Sequence, residues 1–173
     1  MKKLIFIFMI LVVLVVTSSC GGEDFSTQKG ANNALEFELS EDGRSYYVTG
    51  IGSFNGTDLM IPNTHRKLPV TQIQDYAFES CENIETVTIG KNITHIGERA
   101  FYKCDNIKEV TFNAIRCDDC ESSPFGDLGW NLTRGASVTI GKDVERIPAY
   151  LFGKGIIIVK SLFPNCFKFR WQC

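Results

Sequence analysis

The residues of this 173-residue chain that are most able to do chemistry are its seven cysteines and two histidines. Cys117 and Cys120 form a Cys-x-x-Cys pair, a spacing found in disulfides, redox centres and zinc sites. Export of the chain would favour a disulfide between them. A redox centre fits less well, because the strand-then-helix setting of thioredoxin-like sites is missing. A four-thiolate zinc site would also need Cys166 and Cys173, which are spaced more widely than a zinc-binding pair, so we expect no metal and no cofactor.

The other polar residues show no catalytic pattern. His65 and His95 lack the spacing of a nucleophile-base pair or a metal-binding helix, and we expect both to face solvent. Carboxylates such as Glu85, Glu98 and Glu109 are scattered at outward positions, and the sequence holds no phosphate-binding loop or dinucleotide fingerprint. The sequence therefore predicts no catalytic residues and a protein that is not an enzyme.

The N-terminus has the composition of an export signal. Lys2 and Lys3 precede an apolar run over residues 4–16, which is shorter than the roughly 20 residues that span a bilayer. The next residues, Thr17-Ser18-Ser19-Cys20, resemble the lipobox of bacterial lipoproteins. This resemblance implies a signal peptide over residues 1–19 and a lipid on Cys20, which becomes the new N-terminus and anchors the chain in a membrane. A secretory signal without a lipid is the alternative.

Residues 20–34 are polar and rich in glycine, which predicts a flexible tether. Glu23 and Asp24 resemble the acidic signal of some Bacteroidetes lipoproteins, which implies a place on the outer face of the outer membrane. Without residues 1–19, the chain keeps 16 Lys and Arg against 20 Asp and Glu, a formal net charge of −4. This balance gives no electrostatic reason to expect a nucleic-acid partner.

An internal repeat organises the rest of the chain. Residues 70–92 match residues 93–114 at a constant offset of 23. A degenerate third copy with a short insertion and the start of a fourth copy follow, and Leu59-Met60-Ile61 supplies a strand upstream, so four stacked strands are expected. The matched pairs include Ile73/Ile96, Phe78/Phe101, Cys81/Cys104, Asn83/Asn106, Ile84/Ile107 and Val87/Val110.

Each repeat has the apolar spacing of a leucine-rich-repeat strand, Ile-x-x-Val-x-Ile. Alternate side chains of a strand face opposite sides, so Val87 should point into the core and Thr88 away from it. Residues 75–78, before the strand, predict a short helical turn on the other side of the core. Cys81 and Cys104 fit this core as small apolar residues, and a disulfide between them stays open. The fold class expected is a single-domain leucine-rich-repeat solenoid, with a β-strand and a short helical turn per 23-residue repeat.

The motif of the repeat is similar to that of a known family. The run Ile96-Gly97-x-x-Ala100-Phe101-x-x-Cys104-x-Asn106-Ile107-x-x-Val110-x-Phe112 resembles the BspA-like class of leucine-rich repeats, common on bacterial surfaces. The resemblance covers residues 48–152, and the Asp42-Gly43 turn with residues 47–51 is similar to the N-terminal β-hairpin cap of the family. It implies surface display and binding or adhesion to host proteins, matrix or other cells. A structural accessory lipoprotein of the envelope, with no external ligand, is the alternative.

These patterns divide the chain into a signal peptide (1–19), a tether (20–34), a cap hairpin with the first rung (35–69), leucine-rich repeats (70–152) and an atypical tail (153–173). The tail is basic and aromatic and lacks the repeat motif. Three interpretations of the tail are open: a cap strand, a contact for a membrane or partner, or the product of a shifted or truncated repeat array. The last interpretation fits best, because the polarity, turn residues, register and periodicity of a cap are absent. It predicts an exposed C-terminal edge.

The outward side chains of the strands are the best candidate for a binding face. They are small and polar and can hydrogen-bond a protein ligand, although threonine also simply suits an exposed strand. Four rungs span only about 15 to 20 Å, whereas a stable interface buries about 800 Å² per partner. A single contact should therefore be weak, and many copies on a membrane would add avidity. By register the face consists of Asp58, Met60, Thr86, Thr88, Glu109, Thr111, Ser137 and Thr139.

Overall fold

Ten short strands make up the regular structure of residues 34–126, 136–152 and 159–161, the part of the chain that the computed structural model describes. The predicted signal peptide, Cys20, Cys166, Cys173 and all of the tether except residue 34 lie outside it. No helix able to cross a membrane occurs among the described residues. The strands are β1 (Glu36–Leu39), β2 (Tyr46–Gly50), β3 (Asp58–Met60), β4 (Thr64–His65), β5 (Leu68–Ile73), β6 (Thr86–Ile89), β7 (His95–Ile96), β8 (Glu109–Phe112), β9 (Ser137–Ile140) and β10 (Val159–Ser161).

Five parallel strands, in the order β10-β9-β8-β6-β3, form one sheet, which we call the ladder sheet. Its strands pair without register shifts. Val87 of β6 lies opposite Leu59 of β3 on one side and Val110 of β8 on the other, and Val138 of β9 follows Val110. The chain therefore returns to the same position once per repeat, which confirms the predicted solenoid.

The second sheet begins with an antiparallel hairpin of β1 and β2. Strand β2 pairs in parallel with β5, and β5 pairs in parallel with β7 and antiparallel with β4. The hairpin reverses at Gly43, whose φ of 68° lies in the region that favours glycine. Ser40 Oγ supports the turn, because it donates to Asp42 at 2.6 Å and accepts the backbone N–H of Ser45 at 3.0 Å. These contacts confirm the predicted N-terminal hairpin.

Alternate residues of β3, β6, β8 and β9 are buried in one apolar core. Val87 and Ile89 are buried in β6, whereas Thr86 and Thr88 are partly exposed, as the alternation predicts. Successive ring centroids of a phenylalanine stack in this core are 5.1, 4.5 and 5.5 Å apart. Stacking at such separations adds to the burial of large apolar surfaces and joins the repeats through the core. The stack consists of Phe78, Phe101, Phe125 and Phe152.

The segments that precede the ladder strands are turns rather than helices. A helix needs right-handed φ values at successive residues, but Tyr76 and Ser80 have φ values of 58° and 59°, and Arg99 has 50° at the position equivalent to Tyr76. The backbone of each segment bonds to the next repeat instead, as when the N–H of Phe78 donates to the carbonyl of Ala100 at 2.8 Å. The short helical turn predicted for each repeat is therefore not confirmed.

Neighbouring turns approach each other closely enough to require a glycine. Asp75 Oδ1 accepts the backbone N–H of Glu98 from the next repeat at 2.7 Å. A Cβ atom at Gly97 would overlap the backbone of Gln74 and Asp75. Gly97 therefore permits the backbone contact that sets the spacing of these two repeats.

Strand β10 lies inside the segment that we expected to be an atypical tail. Val159 and Ser161 pair in parallel with Val138 and Ile140 of β9. This pairing adds a fifth strand to the four stacked strands that the sequence predicted for the ladder sheet. Residues 153–158 and 162–173 lie outside the described residues, and for them the choice among cap, contact and truncated array stays a prediction.

Candidate binding face

The ladder sheet aligns the eight residues of the predicted binding face in two rows across four repeats, which we together call the strand face. In-register pairing places each member of a row opposite the next, so side chains repeat at the strand spacing of about 4.8 Å. The first row is Asp58, Thr86, Glu109 and Ser137, and the second row is Met60, Thr88, Thr111 and Thr139. Their role in binding stays a prediction.

The strand face is polar and accessible to solvent. Asp58 and Glu109 are exposed, and the hydroxyl residues are half-buried. Thr86 Oγ1 donates to Asp58 Oδ1 at 2.8 Å and so links two neighbouring strands. Each hydroxyl can donate one hydrogen bond and accept others, and Met60 is the single apolar residue among the eight. The face can therefore meet the polar groups of a ligand but offers it little apolar area.

Carboxylates gather at one side of the strand face. Asp58 and Glu109 belong to its first row, and Glu85 lies one residue before that row in the chain. Glu85 Oε2 forms an ion pair with Lys108 Nζ at 2.8 Å, and the two side chains are 44% and 67% exposed. A pair this exposed contributes little stability, and its charges offset each other. Asp58 and Glu109 therefore leave this side of the face negative.

The thiols of Cys117 and Cys120 are buried and free in the structure. Burial is the main cause that raises the pKa of each to about 12. Both thiols are therefore protonated at neutral pH and lack the thiolate that a redox centre needs. The disulfide between them stays a prediction. Within the described residues, no three His, Cys, Asp or Glu side chains lie close enough together to hold a metal ion.

Both histidines are half-buried, so the expectation that they face solvent holds only in part. The ring of His65 stacks on Phe37, with centroids 4.0 Å apart and planes 13° apart, and it meets the edge of Tyr46 at 4.8 Å. Burial lowers the pKa of His65, and the neighbouring charge of Arg66 lowers it further. His95 lies in β7, where it pairs with β5. No local sequence signal could reveal these contacts, because residues distant in the chain make them.

Cys81 and Cys104 meet across neighbouring repeats. Cys104 is buried, and its Sγ donates to the carbonyl of Phe78 at 3.0 Å. Cys81 is half-buried at the margin of the core, and its Sγ donates weakly to the carbonyl of Glu79 at 3.9 Å. The neighbouring thiol of Cys104 lowers the pKa of Cys81. The predicted role as a small apolar core residue therefore describes Cys104 well and Cys81 only in part.

Comparison with protein families identifies the repeat. A family model described as the BspA type leucine rich repeat region matches residues 50–169 in six copies. The chain belongs to this family. The match confirms the resemblance found over residues 48–152 and continues past it into the segment that contains β10. The BspA-type repeat is a general protein-interaction fold.

A solved structure shares this fold. A leucine-rich repeat protein from Bacteroides capillosus ATCC 29799 is 22% identical, with a TM-score of 0.51 over 74% of this chain and 94% of that one. A T. pallidum leucine rich repeat protein is 17% identical, with a TM-score of 0.48 over 70% and 64% of the two chains. A leucine rich cell surface protein from Faecalibacterium prausnitzii A2-165 is 22% identical, with a TM-score of 0.48 over 69% and 38%. The chain thus spans less than two thirds of the last two proteins. Comparison with curated proteins gives no match.

Proposed function

We propose that this chain is a surface-anchored binding module whose strand face contacts a protein ligand, either a host matrix protein or another protein of the cell envelope. In this proposal a lipid on Cys20 holds the module in the outer membrane of a bacterium, exposed to the outside. The observation that carries the proposal is the alignment of the eight strand-face residues in two in-register rows. That arrangement supports binding because it repeats the same polar groups at a regular spacing.

The charge of the strand face specifies the chemistry of the ligand. Asp58 and Glu109 make one side negative, so a complementary ligand presents Lys or Arg there. Arg fits best, because its planar group can bind a carboxylate through two hydrogen bonds. The hydroxyls of Thr88 and Thr111 would meet backbone or amide groups of the same ligand. The proposed ligand is therefore a protein surface with basic residues along one edge.

The size of the strand face makes multivalent binding part of the proposal. The four strands of the face, about 4.8 Å apart, span roughly 14 Å, and a stable interface buries about 800 Å² per partner. One copy therefore binds weakly, whereas many copies on one membrane bind the same ligand surface together. The lipid anchor supplies this multivalency because it concentrates copies on one surface.

Binding at two surface densities tests the proposal. The purified full chain is attached to beads at low and high density and mixed with each member of a panel of purified matrix proteins. Retention per copy should rise at least about tenfold at high density. Thr88→Lys places a long charged side chain in the strand face and should abolish retention. Thr64→Lys makes the same change at an exposed position in the other sheet and should leave retention unchanged. Two outcomes would contradict a role for the strand face: equal loss of retention in both variants, or normal retention of the Thr88→Lys variant.

Metabolic labelling tests the anchor. Cells that express the chain and are fed an alkyne-tagged fatty acid should label it, and Cys20→Ser should remove the label because it removes the acylated sulfur. Cys173→Ser is the matched control and should keep the label. Labelling of the Cys20→Ser chain would contradict the lipid assignment.

Protease treatment of intact cells tests surface display against the alternative function. A surface-displayed module should be degraded while the cells remain closed. A chain that resists the protease until the outer membrane is opened would instead support a structural accessory lipoprotein with no external ligand.

A further inference from the structure

The turns of two neighbouring repeats present one cysteine each at equivalent positions. The N–H of Phe78 donates to the carbonyl of Ala100, and the N–H of Ser80 donates to that of Tyr102, each at 2.8 Å, so the two turns run parallel and in register. Cys81 and Cys104 follow these bonds at the repeat offset of 23 residues.

The backbone has the same conformation immediately before the two cysteines. Cys81 follows Ser80, with a φ of 59°, and Cys104 follows Lys103, with a φ of 58°. Two equivalent side chains on parallel, hydrogen-bonded segments lie about 4.8 Å apart at their backbones. Disulfides join Cα atoms that are about 4.4 to 6.8 Å apart. Equivalent Cβ atoms lie at a similar separation, slightly beyond the about 3.5 to 4.5 Å of a disulfide, so the bond requires the two turns to move together by less than about 1 Å.

The surroundings of the two thiols differ in a way that assigns each a role. Cys81 is half-buried, so a reagent from solvent can reach its sulfur. Cys104 is 3% exposed and donates to the carbonyl of Phe78. A reagent from solvent can therefore react at Cys81. Cys104 lies beside Cys81 on the side of the core, where the reagent cannot reach it directly.

We propose that Cys81 and Cys104 form a cross-repeat dithiol that a disulfide reagent converts to a disulfide, with Cys81 as the attacking residue and Cys104 as the resolving residue. The oxidant belongs to the class of small or protein disulfides, written RSSR. This function is separate from ligand binding by the strand face and does not depend on it.

The reaction proceeds by two thiol-disulfide exchanges. Cys81 loses its proton to solvent, and its thiolate attacks one sulfur of RSSR, which breaks the S–S bond and releases RS⁻ to take up a proton. Once Cys81 is held in the mixed disulfide, its thiolate no longer raises the pKa of Cys104. Cys104 then loses its proton to solvent, and its thiolate attacks Cys81 Sγ, which releases the second RS⁻ to take up a proton. In total, two cysteine thiols are oxidised by two electrons and RSSR is reduced to two RSH.

The acidities of the four described cysteines agree with this order. A hydrogen bond from Cys104 lowers the pKa of Cys81, whereas the same contact and burial raise the pKa of Cys104. Burial raises the pKa of Cys117 and of Cys120 to about 12. Because the thiolate is the nucleophile, Cys81 should react first among these four thiols.

Peptide mapping tests the proposal on the purified full chain. The chain is incubated with oxidised glutathione, the remaining thiols are blocked with N-ethylmaleimide, and the product is cut with trypsin and analysed by mass spectrometry. The expected product joins peptide 68–91, which contains Cys81, to peptide 104–108, which contains Cys104. A bond between Cys117 and Cys120 would remain inside the single peptide 117–134, so the two outcomes are distinguishable.

Single-cysteine variants test the order of attack. Cys104→Ser should accumulate a glutathione adduct on Cys81, because the resolving thiol is missing. Cys81→Ser should carry a glutathione adduct on Cys104 that is at least about tenfold less abundant than the adduct on Cys81 of Cys104→Ser, because burial protects the sulfur of Cys104. The double variant Cys117→Ser/Cys120→Ser is the control and should form the cross-repeat peptide at the normal rate.

Two results would overturn the proposal. One is the absence of the joined peptide from a chain whose ladder sheet is intact by circular dichroism. The other is equal labelling of Cys81 and Cys104 in the two single variants, which would remove the distinction between attacking and resolving residues.

Discussion

The side-chain amide of Asn106 donates a hydrogen bond to the backbone carbonyl of Glu82, 2.6 Å away in the preceding repeat. Asn83 makes the equivalent bond to the carbonyl of Gly56 at 2.7 Å. Both asparagines occupy the same repeat position, a few residues before a strand of the ladder sheet. Each therefore fastens its repeat to the previous one and helps to set the register of the strand that follows.

Replacement of Asn106 by alanine should destabilise the fold modestly. The carbonyl of Glu82 would lose this donor, and a hydrogen bond that water can partly replace is worth about 1 kcal/mol. The measurement is the free energy of unfolding from urea titration. Asp105→Ala, at the exposed neighbouring position, is the control and should change it by less than about 0.5 kcal/mol. Equal effects of the two substitutions would show that the cross-repeat bond contributes nothing.

Phe101→Ala should be severely destabilising. The ring is 1% exposed and stacks between Phe78 and Phe125, so its removal leaves a cavity where neighbouring repeats meet. Loss of a buried phenylalanine costs about 3 to 5 kcal/mol, which the same titration measures. Tyr150→Ala removes an aromatic ring that is 59% exposed and should cost far less. A loss of under about 1 kcal/mol for Phe101→Ala would contradict the continuous core.

Stability should fall as the pH drops through the usual pKa of His65. Burial against Phe37 and Tyr46, together with the charge of Arg66, lowers the pKa of His65 in the folded chain below its usual value of 6.5. As the pH falls, the unfolded chain therefore binds the proton before the folded chain does. The free energy of unfolding should begin to fall near pH 6.5 and should stop falling once the pH is below the pKa of His65 in the folded chain. The measurement is the urea midpoint between about pH 7.5 and pH 5.

The variant His65→Phe isolates this contribution. Phenylalanine keeps an aromatic ring beside Phe37 but cannot bind a proton. All other groups that titrate in this pH range are the same in both chains, so any difference in pH dependence comes from His65. The urea midpoint of the variant should therefore change less with pH than that of the parent chain. Identical pH dependence in the two chains would contradict the assignment to His65.

The constant offset of 23 residues made the ladder sheet predictable. Once Val87 and Val110 occupy equivalent positions, stacking of the repeats places them opposite each other, as the structure shows. The alternation of Thr86, Val87, Thr88 and Ile89 likewise predicted which side chains enter the core, since one face of the sheet must be buried. The composition of the strand face follows from the same two facts.

The turns and the histidine contacts were not predictable in the same way. Tyr76 and Arg99 adopt left-handed φ values that bulky residues seldom take, so their side chains give no local signal for the turn. The stack of His65 on Phe37 depends on pairing between strands far apart in the chain. Strand β10 lacks the Asn-Ile-x-x-Val-x-Ile run of the central repeats, although the family match extends over it, and its pairing with β9 is visible only in the structure.

Site-specific photo-cross-linking tests the central claim, that the strand face is the binding surface. A photoreactive phenylalanine derivative replaces Thr88 in the strand face or, as the control, Thr64 in the other sheet, and cells that display each chain are illuminated in the presence of matrix proteins. The proposal predicts a covalent adduct with a protein ligand from position 88 and none from position 64. Adducts from position 64 alone, or from neither position on cells that retain the ligand, would contradict it.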